Sequence, residues 1–211
     1  MITLSKRTNQ TIYEEITKQL LSSVKPSEFL NRLSAEAEFA DYPFIMLQRL
    51  KSTKQSKKHH PEGNVWNHTM LVLDEAAKVR DRSKEPEVFM WAALLHDIGK
   101  PDTTRIKKDR ITAYDHDKAG EQLSEEFLRY FTEEEEFIRK VTALIRYHMH
   151  MLYVLKGLPY SDMKGLLRRV DAEELALLCR CDRLGRTGAD TKKEEEQYRQ
   201  FLAELKCMQN N

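Results

Sequence analysis

Six side chains in this sequence have the types and the spacing to hold metal ions. His68, His116, His148 and Asp182 each fall on the apolar line of a separate stretch with helical periodicity. His96 and Asp97 close a fifth stretch, in which the seven apolar residues Phe89–Leu95 follow one another without a polar break. A helix that is apolar all round is a buried helix, so this pair sits at the inner end of a buried rod. An ionised aspartate cannot stay there without partners or a metal. Polar groups aimed inward from five helices must satisfy one another or share a partner. Imidazole with carboxylate is a transition-metal ligand set. Iron, manganese, cobalt and nickel all suit it, magnesium is a further candidate, and the donors do not choose among them.

The elements that must position these residues can be read in outline. Pro86 suits the first turn of the buried helix, and Gly99 with Pro101 marks its end. Residues 11–24 read as a helix with Ile12, Ile16, Leu20 and Val24 on one stripe. Two or three short helices follow around Phe39, Phe44, Leu47 and Leu50. Residues 64–80 form a helix carrying His68 beside Val65, Val72, Ala76 and Val79. Residues 103–114 alternate weakly about the turn 107–110, which suggests one short hairpin. A helix starts near His116, with Gly120, Leu123 and Phe127 in step. Thr132 with Glu135 reads as a capping box for the next helix, whose face Val141, Leu144 and Ile145 runs on to His148. After a helix over 161–169, Asp171 and Glu174 cap another, whose face Leu175, Leu178 and Cys179 runs on to Asp182. A charged helix over 191–208 ends the chain. The expectation is an all-α bundle with a helical N-terminal extension and a small hairpin. Its parts are an N-terminal collar (1–55), a metal-binding domain (56–190) and a C-terminal helix (191–211).

Composition narrows the function classes. Among 211 residues, 35 Lys and Arg balance 34 Asp and Glu, for a net charge of +1. That balance gives no global pull toward nucleic acid or membrane. Three cysteines imply no disulfide framework, and with no apolar leader in residues 1–10 a reduced cytoplasmic setting is expected. Cys179-Arg180-Cys181, Trp66 and Trp91 read as core. Lys51–His60 is a basic loop, read as solvated, with phosphate or RNA contact as the rival. His59 and His60 fit no face pattern. His150 lies on the opposite side of an ideal helix from His148, which is the favoured ligand; a helix ending at Tyr147 would let His150 take its place.

The order His68, His96-Asp97, Asp182 resembles the HD superfamily of metal-dependent phosphohydrolases. The insertion of His116 and His148 resembles its two-metal branch, and Lys100 matches the lysine common after the pair. Four longer segments look like the HD module of bacterial CCA-adding enzymes, the tRNA nucleotidyltransferases. They are His60-Pro61-Glu62-Gly63-Asn64-Val65-Trp66-Asn67-His68, Tyr114-Asp115-His116-Asp117-Lys118-Ala119-Gly120, Arg146-Tyr147-His148-Met149 and Cys181-Asp182-Arg183-Leu184-Gly185. The likeness covers roughly residues 11–190. Those enzymes also carry a nucleotidyltransferase head with a Gly-Ser dipeptide and paired aspartates. This chain has no Gly-Ser dipeptide, so nucleotide addition does not carry over. Asp115 stands where a glycine often precedes the histidine, either as an added carboxylate near the site or as a change in the local turn.

The resemblance implies that His68, His96, Asp97 and Asp182 hold one divalent ion. Asp97 would bridge to a second, completed by His116 and His148. Asp97 and Lys100 would be the catalytic residues, with Lys100 on a phosphate oxygen; its rival reading is an exposed helix-end cation. Thr103 and Arg105 are minor candidates for the leaving group, and Arg183 is the best-placed arginine for phosphate. The implied reaction is phosphomonoester or phosphodiester hydrolysis by a metal-activated hydroxide. The implied partners are nucleotides or RNA-terminal phosphates, including 2′,3′-cyclic phosphates, with tRNA as a further partner and no membrane. Two rivals share the pattern: a di-iron oxygenase of the superfamily, and a non-catalytic RNA-binding module. Neither metal identity nor oligomeric state follows from the sequence.

Overall fold

The Thr8 hydroxyl accepts from the Thr11 N–H and starts α1 (Asn9–Ser22), which buries Ile12, Tyr13, Ile16 and Leu20. Val24 lies beyond the end of this helix and is 80% exposed. The stripe therefore stops at Leu20, because Pro26 opens a new helix, α2 (Pro26–Leu33). The computed structural model describes residues 7–108 and 110–209. The leader reading of residues 1–10 and the turn over 107–110 thus fall partly outside the described residues.

A 3-10 turn (Ala37–Ala40), α3 (Ile45–Gln48) and a second 3-10 turn (Arg49–Ser52) complete the N-terminal part. Phe39, Phe44, Leu47 and Leu50 are fully buried there. Asn64 caps α4 (Val65–Ala77) by accepting from the Asn67 N–H. This helix ends three residues before the expected position 80, and Val79 falls in the turn that follows. Next come α5 (Pro86–Leu95) and the short α6 (Lys100–Thr103). Strands β1 (Thr104–Lys107) and β2 (Arg110–Ala113) form an antiparallel hairpin with Ile106 opposite Ile111.

The second half holds α7 (His116–Arg129), α8 (Glu135–Tyr147), α9 (His150–Leu155), α10 (Met163–Arg169), α11 (Ala172–Leu184) and α12 (Thr191–Gln209). The capping box expected from Thr132 does not form. The Thr132 hydroxyl accepts from the Glu134 N–H instead, and α8 begins two residues later than that box requires. Asp171 does cap α11, accepting from the Glu173 and Glu174 N–H groups. Glu174 turns away to accept from Ser83 Oγ and the Lys84 N–H.

The fold is all-α apart from the hairpin. Every residue of α5 from Val88 to Leu95 is buried, with α1, α4, α8 and α11 packed around it. Trp91 and Trp66 belong to this core, and each indole N–H finds an acceptor, Thr17 Oγ1 at 3.2 Å and Asn31 Oδ1 at 2.8 Å. Cys179 and Cys181 are buried in it too.

Candidate metal centre

Helix ends, not helix middles, carry most of the site. His96 caps the C-terminus of α5, His116 opens α7, and His148 caps the C-terminus of α8. His68 and Asp182 come from the inner faces of α4 and α11. Two glycines let these elements meet. A Cβ on Gly99 would stand 2.2 Å from the His116 carbonyl oxygen, so α7 can approach the turn after Asp97 only at glycine. A Cβ on Gly185 would stand 2.7 Å from the Val72 nitrogen, and this close approach seats α11 against α4. Asp115 has φ +59°, the left-handed region that glycine occupies most easily. Its side chain is exposed and pairs with Lys118 at 2.7 Å. Of its two readings, the altered turn is the one this geometry supports.

The six predicted residues converge, each 6% exposed or less. His68 Nε2 lies 2.9 Å from Asp182 Oδ1 and 3.9 Å from Asp97 Oδ2. His96 Nε2 lies 3.2 Å from Asp97 Oδ2. The other Asp97 oxygen faces His116 Nε2 at 3.5 Å and His148 Nε2 at 3.9 Å. Two metal-sized groups result, His68–His96–Asp182 and Asp97–His116–His148, each with its ligand atoms within 4.8 Å of one another. Asp97 stands between them.

The protonation pattern suits a cation. His96, His116 and His148 each donate from Nδ1 to the carbonyl three residues earlier, at 2.8, 2.7 and 2.6 Å. That choice leaves Nε2 as a lone pair aimed inward. His116 and His148 then point lone pairs at each other across 3.2 Å, a contact that needs a proton or a metal ion to be attractive. His96 Nε2 and Asp97 Oδ2 are buried without a well-formed hydrogen bond among the described residues. The donor set therefore fits divalent transition metal.

Burial and local charge set the protonation of these donors. Burial alone would raise the Asp97 carboxyl, but Lys100 and then His96 hold it well below the usual carboxylate range. Burial is outweighed at Asp182 in the same way, by Arg186 and His68. His148 is pushed down to about 4 by burial and by the neighbouring His116 and His96. Burial also lowers His116. His96 moves the other way, because the Asp97 and Asp182 carboxylates overcome its burial.

Lys100 is buried, so the exposed-cation reading of it fails. Its ammonium lies 2.7 Å from Asp97 Oδ2 and donates to Gln55 Oε1 at 2.6 Å. Arg183 is committed to Glu194 through two hydrogen bonds of 2.8 and 3.0 Å, which weakens its case for phosphate. Arg186 leans on Asp182 at 3.3 Å, with its Nε buried and without a partner among the described residues. Arg105 is exposed and Thr103 bonds back to the Gly99 carbonyl; neither lines the cavity described below. α8 does end at Tyr147, yet His150 faces away from the cluster and accepts from the Asp162 N–H at 3.0 Å.

Three contributors escaped sequence reading. Glu62 lies 2.9 Å from His60 Nδ1 and 3.0 Å from His68 Nδ1, and Gln55 holds Lys100. All three come from the loop before α4, where no periodicity marks an inward face. The loop is thus not wholly solvated, although Lys57, Lys58 and His59 are exposed. Above the cluster opens a cavity of about 1080 Å³. Exposed Lys54, Tyr114, Lys118, Lys156, Tyr160 and Lys193 stand around it.

The chain is similar to known proteins. The HD domain family model matches residues 65–187, more than half of the chain. A multifunctional CCA protein of Actinobacillus pleuropneumoniae serotype 5b (strain L20) is 29% identical over 159 residues, 71% of this chain and 37% of that protein. The multifunctional CCA protein of Pseudomonas fluorescens (strain SBW25) is 28% identical over 90% of this chain and 46% of its own length. That of Pasteurella multocida (strain Pm70) is 27% identical over 96% and 48%. The chain spans less than half the length of these relatives.

Proposed function

The chain belongs to the HD domain family, and from that premise we propose that it hydrolyses phosphate esters with two divalent metal ions. His68, His96, Asp97 and Asp182 hold one ion. Asp97, His116 and His148 would hold the other. Bound there, the ions supply Lewis acidity and a water nucleophile that ionises near neutral pH. Burial favours the neutral form of His116 and His148, and neighbouring cations favour the charged form of Asp97 and Asp182, the forms that bind metal. Lys100 offsets negative charge that develops on a phosphoryl oxygen, and Gln55 keeps its ammonium from swinging away. The buried floor excludes bulk water, and the basic rim favours an anionic substrate.

Nucleotides or RNA-terminal phosphates, 2′,3′-cyclic phosphates among them, are the substrate class. A cavity of about 1080 Å³ has room for them, with Tyr153 and Tyr160 on its wall as surfaces for a planar base. Likeness to CCA proteins supports an RNA end, including that of tRNA, as the carrier of the phosphate.

The observation that carries this reading is the set of inward Nε2 atoms around Asp97. The test is metal analysis of the wild type and Asp97→Ala, assayed together on a phosphoester panel. Wild-type protein is expected to retain metal and turn over at least one ester. The variant should lose metal and lose turnover by more than about 1000-fold. A variant that loses metal and keeps its activity ends the proposal. Oxygen consumption with a polyol or phosphonate, without ester hydrolysis, would establish the oxygenase reading. Salt-sensitive RNA binding without turnover would establish the binding module.

A further inference from the structure

Three of the four imidazoles at the centre are aimed by their own backbone. His68 is not: its Nδ1 has no carbonyl partner, and the nearest acceptor is Glu62 Oε1 at 3.0 Å. That contact is bent from ideal hydrogen-bond geometry, and no other described group satisfies this buried nitrogen. The Glu62 side chain is itself 3% exposed. It is fixed from two further directions. His60 Nδ1 lies 2.9 Å from the same Oε1, and the Thr187 N–H donates to Oε2 at 3.2 Å. Thr187 follows α11, the helix that carries Asp182. One carboxylate thus joins the loop before α4, His68 on α4 and the segment after α11.

We propose that Glu62 is the positioning residue of the His68–Asp182 half of the site, receiving the Nδ1 proton of His68 in a carboxylate–imidazole–metal relay. The proposal rests on the two-metal reading above. A carboxylate acceptor makes a charge-assisted hydrogen bond, about twice as strong as one to a neutral carbonyl. It also makes the imidazole a better donor to a metal than the carbonyl-bonded rings are. The relay therefore makes the two halves unequal, with the His68 half the tighter. His60 is the second imidazole on Glu62 and keeps the carboxylate turned inward. Burial, followed by the nearby Lys100, pushes His60 down to about 3, so it stays neutral in that role.

The test uses the full chain, Zn²⁺ as the probe metal, and the variants Glu62→Gln and His60→Ala. Calorimetric titration of the wild type is expected to show two classes of site. Glu62→Gln should weaken the tighter class by about 10- to 100-fold and leave the other within twofold. His60→Ala should weaken the same class less. Equal weakening of both classes in Glu62→Gln overturns the proposal, as does no weakening. The second readout is the imidazole Nδ1 proton of His68 by nitrogen-15 NMR, with and without Zn²⁺. It should lie downfield of the Nδ1 protons of His96, His116 and His148. A His68 proton that is indistinguishable from those three overturns the relay, even if Glu62→Gln fails to fold. Protein that takes up no Zn²⁺, Mn²⁺ or Fe²⁺ ends the two-metal reading instead, and the NMR of the metal-free chain still decides whether Glu62 holds His68.

Discussion

The floor and the rim of the cavity are built on opposite terms. On the floor, the polar side chains are buried and face one another: His68 and Asp182, Asp97 and Lys100, His116 and His148. At the rim, Lys54, Lys156 and Lys193 stand in solvent, and Lys118 is tied only to its own neighbour Asp115. A buried polar atom left without a partner costs about 1–3 kcal/mol, so the floor tolerates few alternatives. Exposed charges contribute only a few tenths of a kcal/mol, roughly. A chain under this constraint fixes its chemistry on the floor and leaves its selectivity to the rim.

Three further changes would sharpen or break this contrast. The largest effect is expected from Gly185→Ala, which touches no ligand. Its Cβ would press on the backbone of Val72, at 2.7 Å from the nitrogen and 2.8 Å from Cα. Overpacking of this kind costs roughly 1–3 kcal/mol. Here it should also part Asp182 from His68 and weaken metal binding. Denaturant melts and metal titration would read both losses, and a variant normal in both would show that the floor does not depend on that helix contact.

Acid should come next. His148 and His60 titrate at about 4 and about 3 in the folded protein, against about 6.5 in an unfolded chain. As pH falls below about 6.5, the unfolded chain takes up protons that these buried rings refuse. Stability of the metal-free protein must then fall with pH, down to about 4. His96, whose folded value is raised, contributes stability that is fully present below about pH 6.5 and lost above it, and so leaves the slope below that pH unchanged. A denaturant midpoint that is flat between about pH 6.5 and pH 5 would contradict the depressed values of His148 and His60.

The smallest effect belongs to the rim. Lys118→Ala and Lys156→Ala should each raise KM about two- to fivefold with kcat and metal content unchanged. A fall in kcat for either would move that lysine from the rim into the chemistry.

The same contrast explains what could be read from the sequence. The floor was legible because burial imposes periodicity: His68 and Asp182 interrupt apolar lines that a helix must turn inward. The unbroken run Phe89–Leu95 likewise fixed where His96 and Asp97 would lie. Glu62, His60 and Gln55 were not legible, since they reach the floor from a loop whose path is set by tertiary contacts. The isolated bridge of Lys54 with Asn64 and the Val65 N–H to Thr53 carbonyl bond are two such contacts. Helix ends were misjudged where a side chain had two uses. Thr132 had the right type for a capping box but bonded one residue too early, and Val24 matched a stripe that its helix does not reach.

The backbone anchors of His96, His116 and His148 carry one more implication. Each bond closes within a single turn, between neighbours three residues apart, so the ring is aimed as soon as that turn winds. These three donors need no incoming ion to organise them, and little ordering entropy is left to lose when one arrives. Capture at such a preset cradle should be fast and should leave the surrounding helices where they already stand.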